Sequence, residues 1–121
     1  MLENEKSAVA KQFTYDQVFD VDSDQQSVYD ECAFSLVESV IEGYNGTMFA
    51  YGQTGCGKTH TMMGVANDEL QRGIIPRCFS HIFGVMADDL GEGQKYLMRC
   101  SYLEIYNEEV YDLLMDVKRG Q

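Results

Sequence analysis

The chain has 121 residues, of which 45% are hydrophobic and 12% aromatic, a composition typical of a packed domain and not of a disordered chain. Its formal net charge is −11, from 20 acidic and nine basic residues, and the basic residues are not clustered. This charge pattern excludes a duplex-binding surface and a polybasic membrane surface. No apolar run approaches the roughly 18 residues that a membrane span needs, and the charged N-terminus lacks the apolar segment of a secretory signal. We therefore expect no nucleic-acid partner, no membrane and a cytoplasmic location.

The four cysteines, at positions 32, 56, 78 and 100, contain no C-x-x-C pair. This spacing predicts neither a zinc site nor a disulfide framework, and it fits reduced thiols in the cytosol.

The first half of the chain predicts one long helix between two extended segments. Residues 1–12 are mixed and polar and are expected to be a disordered end. Residues 13–19 predict a short strand or extended segment, and residues 20–26 an acidic turn in which Asp24 or Ser27 caps the next helix. Apolar residues then recur at three- and four-residue steps from Val28 to Tyr44, which predicts an amphipathic helix that Gly43 ends. Residues 47–51 are short, apolar on both faces and flanked by turns, which predicts a buried strand.

The second half predicts two helices, a strand and a final short helix. A loop over 52–57 leads into a helix from Lys58 to about Gly64, and a further helix opens at Ile74 with Pro76 in its first turn and His81 on its surface. Residues 96–106 are rich in aromatic and aliphatic side chains and predict a strand. Residues 107–116 predict a short helix with Val110, Leu113 and Leu114 facing inward.

One motif carries recognisable chemistry, the pattern G-x-x-x-x-G-K-[ST] formed by Gly52-Gln53-Thr54-Gly55-Cys56-Gly57-Lys58-Thr59. Its glycines allow successive backbone N–H groups to point at phosphate oxygens, and the helix that follows adds its positive end. Lys58 can reach the outer phosphates as a point charge, and the Thr59 hydroxyl can bind Mg²⁺. A predicted strand before the motif and a helix after it favour a phosphate-binding loop over a chance glycine-rich turn.

The motif and its surroundings also resemble a known family. The stretch from Tyr44 to Met62 resembles the nucleotide-binding segment of kinesin motor domains. Three further blocks are similar to that family in the same order along the chain: residues 13–19, residues 73–77 and residues 101–114. The block at 101–114 is most similar to the kinesins of ciliary transport, which would place the protein in a cilium or flagellum.

The resemblance implies an α/β fold, the three-layer sandwich of P-loop NTPases, with residues 13–121 forming a partial kinesin motor domain. It implies a cytoskeletal motor that hydrolyses ATP to move along microtubules. Residues 53–59 would hold the phosphates of ATP or ADP and the Mg²⁺ ion. His60 would lie beside the adenine or ribose, although a histidine on a helix surface explains it equally well. Cys56 stands where the family usually has serine or another small residue.

Several family segments do not occur in these 121 residues. The N-x-x-S-S-R-S-H segment that positions the attacking water, the D-x-x-G-x-E segment that senses the γ-phosphate and the R-x-R-P segment that packs on adenine are all missing. We therefore expect a partial motor head that is poorly stable alone, binds nucleotide weakly and hydrolyses little ATP. Microtubule contacts would lie mostly elsewhere, because an acidic surface repels acidic tubulin.

Two other functions stay open. A non-motile, truncated kinesin-like module that binds nucleotide would account for the missing segments. A small P-loop kinase would need an arginine-rich lid, and the chain has only Arg72, Arg77, Arg99 and Arg119.

Overall fold

The computed structural model describes residues 11–65, 67–88 and 95–115. The chain divides into two compact units, residues 1–84 and residues 85–121. The expected disordered end at 1–12 lies almost wholly outside the described residues. The four helices in chain order are α1 Gln25–Cys32, α2 Phe34–Ile41, α3 Lys58–Met62 and α4 Ile74–Asp88, and the two strands are β1 Leu103–Tyr106 and β2 Glu109–Asp112.

The predicted long amphipathic helix is present as two helices, α1 and α2, joined at Ala33. Hydrogen bonds continue across the junction, from the Ala33 amide to the Tyr29 carbonyl (2.8 Å) and from the Val37 amide to the Ala33 carbonyl (2.9 Å). Ala33 itself has φ −118° and ψ −33°, which departs from the α-helical value of φ and divides the helix there. The periodicity therefore predicted the helical region and missed its break.

Both ends of this helical region follow from capping chemistry. The Asp24 carboxylate accepts the Ser27 amide proton (2.6 Å), so the predicted Asp24 cap is confirmed. That backbone hydrogen bond holds the pKa of Asp24 below its usual value. At the other end Gly43 has φ +103°, the Gly43 amide donates to Val40 (3.0 Å) and the Tyr44 amide donates to Ser39 (2.9 Å). These bonds form a Schellman motif, which explains why the helix ends at Ile41.

The core of the first unit is small. Tyr29, Ala33 and Ile74 are buried and contact each other, and Val28, Met48, Met62 and Cys78 pack against them half-buried. Burial raises the pKa of Tyr29 to about 12, so its hydroxyl remains a donor. Helices α1, α3 and α4 therefore meet around one tyrosine and one isoleucine.

The predicted surface position of His81 is wrong, because His81 is half-buried between α1 and α2. Its Nδ1 lies 2.8 Å from the Tyr29 hydroxyl oxygen and its Nε2 lies 2.7 Å from a Glu38 carboxylate oxygen. The Phe34 ring stacks on the imidazole with centroids 4.8 Å apart. His81 thus links α4 to both α1 and α2.

The prediction of a buried strand at 47–51 is wrong, both in its conformation and in its burial. The segment belongs to no strand, and the side chains of Phe49 and Tyr51 are 82% and 94% exposed. Strand formation requires backbone hydrogen bonds to a neighbouring strand, and residues 47–51 make none to the described residues. For residues 13–19, predicted as a short strand or an extended segment, the structure has no strand, and the rings of Phe13 and Tyr15 are exposed.

Arg77 connects α4 to α1 and to the loop before α4. Its guanidinium donates to the carbonyls of Arg72 (3.0 Å), Glu69 (3.2 Å) and Leu70 (3.1 Å). It also donates to the Gln26 side chain. The same loop folds back on the end of α3 through a bridge between Gly64 and Arg72.

The second unit contains a β-hairpin where a short helix was predicted at 107–116. Strands β1 and β2 pair antiparallel, with Ile105 opposite Val110, and only the last four residues of the strand predicted at 96–106 take part. Asn107 and Glu108 have φ of +50° and +66°, the positive values of a tight hairpin turn. The predicted helix at 107–116 is wrong. Val110 and Leu113 have helical spacing, but strand pairing with residues 103–106 holds residues 109–112 in an extended conformation.

Candidate phosphate-binding site

The loop over 52–57 follows the path that its glycines permit. Gly55 and Gly57 have φ of +81° and +97°, in the left-handed region that other residues rarely adopt. Gly57 is the N-cap residue of α3, and Lys58 is the first residue of that helix. The chain therefore turns sharply from the loop into the helix at the position that the motif predicts.

The amides of this turn are largely unpaired. The Cys56 amide makes a long bond to the Gln53 carbonyl (3.4 Å). Within the part of the chain that the structure describes, the amides of Gly55, Gly57, Lys58 and Thr59 donate to no protein group. Clustered N–H groups without acceptors are suited to anionic oxygens.

The Lys58 ammonium lies over the loop. Its Nζ donates to the carbonyls of Gly52 (2.8 Å) and Gln53 (2.7 Å). An ammonium has three N–H donors, and the third has only the sulfur of Cys56, a weak acceptor 4.0 Å away. Among the described residues no carboxylate pairs with Lys58, and its charge is therefore uncompensated beside the unpaired amides.

The Cys56 thiol covers one side of the loop. Its Sγ lies 4.0 Å from Lys58 Nζ. It also occupies the space above Gly52, where an added Cβ would come within 2.5 Å of the sulfur. A side chain at position 52 would therefore force the Cys56 thiol to rotate away, and any group attached to that sulfur would meet the ammonium.

The remaining predicted site residues lie close by. Gln53, Thr54 and Thr59 are exposed, and the Thr59 hydroxyl makes no hydrogen bond to the described residues. His60 is also exposed, but its backbone carbonyl accepts from the Gln25 side chain (2.8 Å). The roles predicted for these residues in holding nucleotide, Mg²⁺ and adenine or ribose stay predictions.

Gln25 is the contact that sequence reasoning missed. It is 6% exposed, and its amide reaches α3 across 35 residues of chain. No local pattern signals such a contact, since a glutamine at the start of a helix is ordinarily solvated. Gln25, Cys56, Gly57 and His60 share a cleft of 760 Å³ with acidic residues of the 20–24 turn.

The described residues contain neither a metal-binding cluster nor a membrane-spanning helix. No group of three or more histidine, cysteine, aspartate or glutamate side chains there is arranged to hold a metal ion. No helix there is long and apolar enough to cross a membrane.

Comparison with known proteins identifies the family. A family model for the kinesin motor domain matches residues 1–121. Human Kinesin-like protein KIF15 is 49% identical over 117 residues, covering 91% of this chain and 8% of its own length. Bovine Kinesin-like protein KIF3C is 50% identical over 116 residues, covering 93% of this chain and 14% of its own length.

A solved structure of a fast kinesin agrees with these matches. It superposes with a TM-score of 0.79 at 45% identity, over 84% of this chain and 29% of that one. The described helices and two-stranded sheet are therefore part of an α/β fold of the P-loop NTPase type, the fold class that the sequence predicts. The chain belongs to the kinesin motor domain family.

Proposed function

We propose that this chain is the ATP-binding portion of a kinesin that couples ATP hydrolysis to movement along microtubules. The observation that carries the proposal is the uncompensated Lys58 ammonium beside unpaired amides at the start of α3. A triphosphate supplies the anionic oxygens that this arrangement lacks.

Each residue of the loop has a role in this proposal. Gly52 to Gly57 shape the cradle, and Lys58 contacts the outer phosphates with the N–H that faces the weak acceptor Cys56 Sγ in this structure. Thr59 offers a hydroxyl to Mg²⁺, an ion that takes few protein ligands and several from phosphate and water. His60 lies beside the adenine or ribose.

The parent protein would act in the cytoplasm on the cytoskeleton. Microtubules would be contacted mostly through other parts of the parent, because the net charge of −11 opposes binding to acidic tubulin. A role in cilia is a finer proposal that rests on residues 101–114.

A non-motile nucleotide-binding module is the second candidate. The phosphate-binding loop suits this candidate equally, because it requires nucleotide binding alone. Such a module would bind ATP or ADP without turnover that responds to microtubules.

Calorimetric titration of the intact parent protein with Mg-ATP tests the shared part of both candidates, because the 121 residues alone are expected to be poorly stable. We expect saturable, magnesium-dependent binding, and no binding of ATP or ADP would contradict both. Microtubule-stimulated ATPase of the intact parent protein then separates them. Stimulation supports the motor, and nucleotide binding without stimulation supports the non-motile module.

Alkylation of Cys56 is expected to block nucleotide binding. An N-ethylmaleimide adduct on Sγ would project over Gly52 and toward Lys58 Nζ, which lies 4.0 Å from the sulfur. ATP affinity should fall more than tenfold after treatment, and bound ATP should slow the modification. The measurement is nucleotide affinity before and after alkylation, with the modified cysteine identified by peptide mass.

The matched control for this experiment is Cys56→Ser. The exposed Cys32 and Cys100 remain in that variant, so it should still be alkylated yet keep its affinity for ATP. Unchanged ATP affinity in protein fully modified at Cys56 would contradict the prediction.

A further inference from the structure

A small cleft lies in the first unit, between α1, α4 and the loop before α4. Its volume is 200 Å³, and the residues that line it are Gln26, Tyr29, Glu69, Arg72, Arg77 and Ser80. None of them belongs to the phosphate-binding loop at 52–57 or to α3. The cleft is therefore a separate feature that the proposed function leaves unused.

The two arginines of this cleft are half-buried, and neither has a carboxylate partner among the described residues. Arg77 donates to backbone carbonyls and to the Gln26 side chain, which are all neutral acceptors. The Arg72 guanidinium makes no hydrogen bond or ion pair within residues 11–65, 67–88 and 95–115. The chain has 20 acidic residues, yet both of these positive charges are uncompensated there.

Two uncompensated guanidinium groups beside one cleft favour an anion between them. Removing a charged group from water costs free energy unless an opposite charge or hydrogen bonds replace the water. Arg72 and Arg77 also repel each other, so an anion that contacts both would lower both costs. The planar fork of N–H groups on a guanidinium matches the oxygens of phosphate, which makes an oxyanion the best partner.

The size of the cleft selects a small ligand. Its 200 Å³ is below the roughly 300 to 1,000 Å³ of sites for larger organic ligands, so a nucleotide would not fit. The Ser80 hydroxyl donates to the Pro76 carbonyl (3.1 Å), which commits its proton within α4. The Glu69 carboxylate is exposed and opposes an anion, so the two arginines have to outweigh one negative charge.

We propose that this cleft binds a small tetrahedral oxyanion between Arg72 and Arg77, either free phosphate or the phosphoryl group of a phosphate monoester. Arg77 supplies a positive charge that the carbonyls of Arg72, Glu69 and Leu70 hold in place. Arg72 supplies a guanidinium whose N–H groups have no acceptor among the described residues. The inference does not depend on the proposed function, because the phosphate-binding loop takes no part in it.

Equilibrium dialysis of radiolabelled inorganic phosphate with the intact parent protein tests the proposal. A non-hydrolysable Mg-ATP analogue is kept at saturation, so that phosphate cannot enter the phosphate-binding loop. We expect saturable binding of phosphate to a site that depends on Arg72. Arg72→Met should weaken this binding by about tenfold or more, because charge-assisted hydrogen bonds to the oxyanion are lost.

Two further variants control the experiment. Arg99→Met removes the same charge at an exposed arginine of the second unit, and it should leave phosphate affinity unchanged. Glu69→Gln removes the opposing carboxylate and should strengthen phosphate binding, while the carbonyl of residue 69 can still accept from Arg77. Arg77 is left intact because its hydrogen bonds hold the loop, whereas the Arg72 side chain has no such contacts.

The outcomes are decisive for the cleft and separate it from the phosphate-binding loop. Absence of phosphate binding to the wild type, or equal binding to the wild type and Arg72→Met, would overturn the proposal. Displacement of phosphate by O-phosphoserine would support a monoester as the source, and no displacement would support free phosphate. Failure of the Mg-ATP analogue to bind would overturn the proposed function, while the effect of Arg72→Met on phosphate binding would still judge the cleft.

Discussion

Lys58→Met is expected to weaken the binding of Mg-ATP by about a hundredfold, close to 3 kcal/mol. The substitution keeps an unbranched chain but removes the ammonium that lies over the loop, together with its bonds to Gly52 and Gln53. Charge-assisted hydrogen bonds to phosphate are the strong ones in such a site, so their loss should dominate. The measurement is the dissociation constant for Mg-ATP by calorimetry.

The control for this prediction is Lys95→Met, the same change at an exposed lysine of the second unit. Both variants change the net charge from −11 to −12, one positive charge fewer, so they alter the long-range field equally. Only Lys58→Met removes the local contact. Similar affinities in the two variants would show that the lysine at the loop is not a phosphate ligand.

Gly64→Ala is expected to lower the free energy of unfolding of the intact protein by about 3 kcal/mol or more. Gly64 has φ +65°, and an added Cβ would come within 2.0 Å of the Gln71 carbonyl oxygen and 2.4 Å of the Gly73 nitrogen. Both atoms are backbone and cannot swing aside as a side chain can. The Val65–Gln71 and Met63–Gly73 hydrogen bonds would have to open. The measurement is chemical denaturation.

Gly84→Ala makes the same chemical change as Gly64→Ala, but we expect it not to lower the free energy of unfolding. Gly84 lies inside α4, and an added Cβ there meets nothing within 4 Å. Alanine is the better helix former by about 1 kcal/mol, so this variant should be as stable as the wild type or more so. Equal losses in both variants would contradict the argument from the Gly64 backbone contacts.

The parts of the fold that sequence predicted well are those decided within a few residues. The Asp24 cap and the turn into α3 at Lys58 depend on contacts between near neighbours. The same holds for the start of α4 at Ile74. Local spacing and turn chemistry carry enough information there, and the motif at 52–59 could be located without coordinates.

The parts that sequence missed depend on distant partners. Residues 47–51 have the composition of a buried strand, but composition does not supply a neighbouring strand, and Phe49 is left exposed. His81 looked like a surface histidine because Tyr29 and Glu38 are 52 and 43 residues away. Gln25 was overlooked for the same reason, since its partner His60 is 35 residues away.

The hydrogen bonds of Arg77 and the Asp24 cap respond differently to acid, because only the Asp24 cap depends on a group that titrates. Asp24 has a lowered pKa, so its cap acts fully above the ordinary value of 3.8 and is lost as pH falls through the folded value. The acceptors of Arg77 are carbonyl oxygens and an amide, which do not titrate there. Acidification would thus open the first turn of α1, while the hydrogen bonds from Arg77 to the loop before α4 would remain.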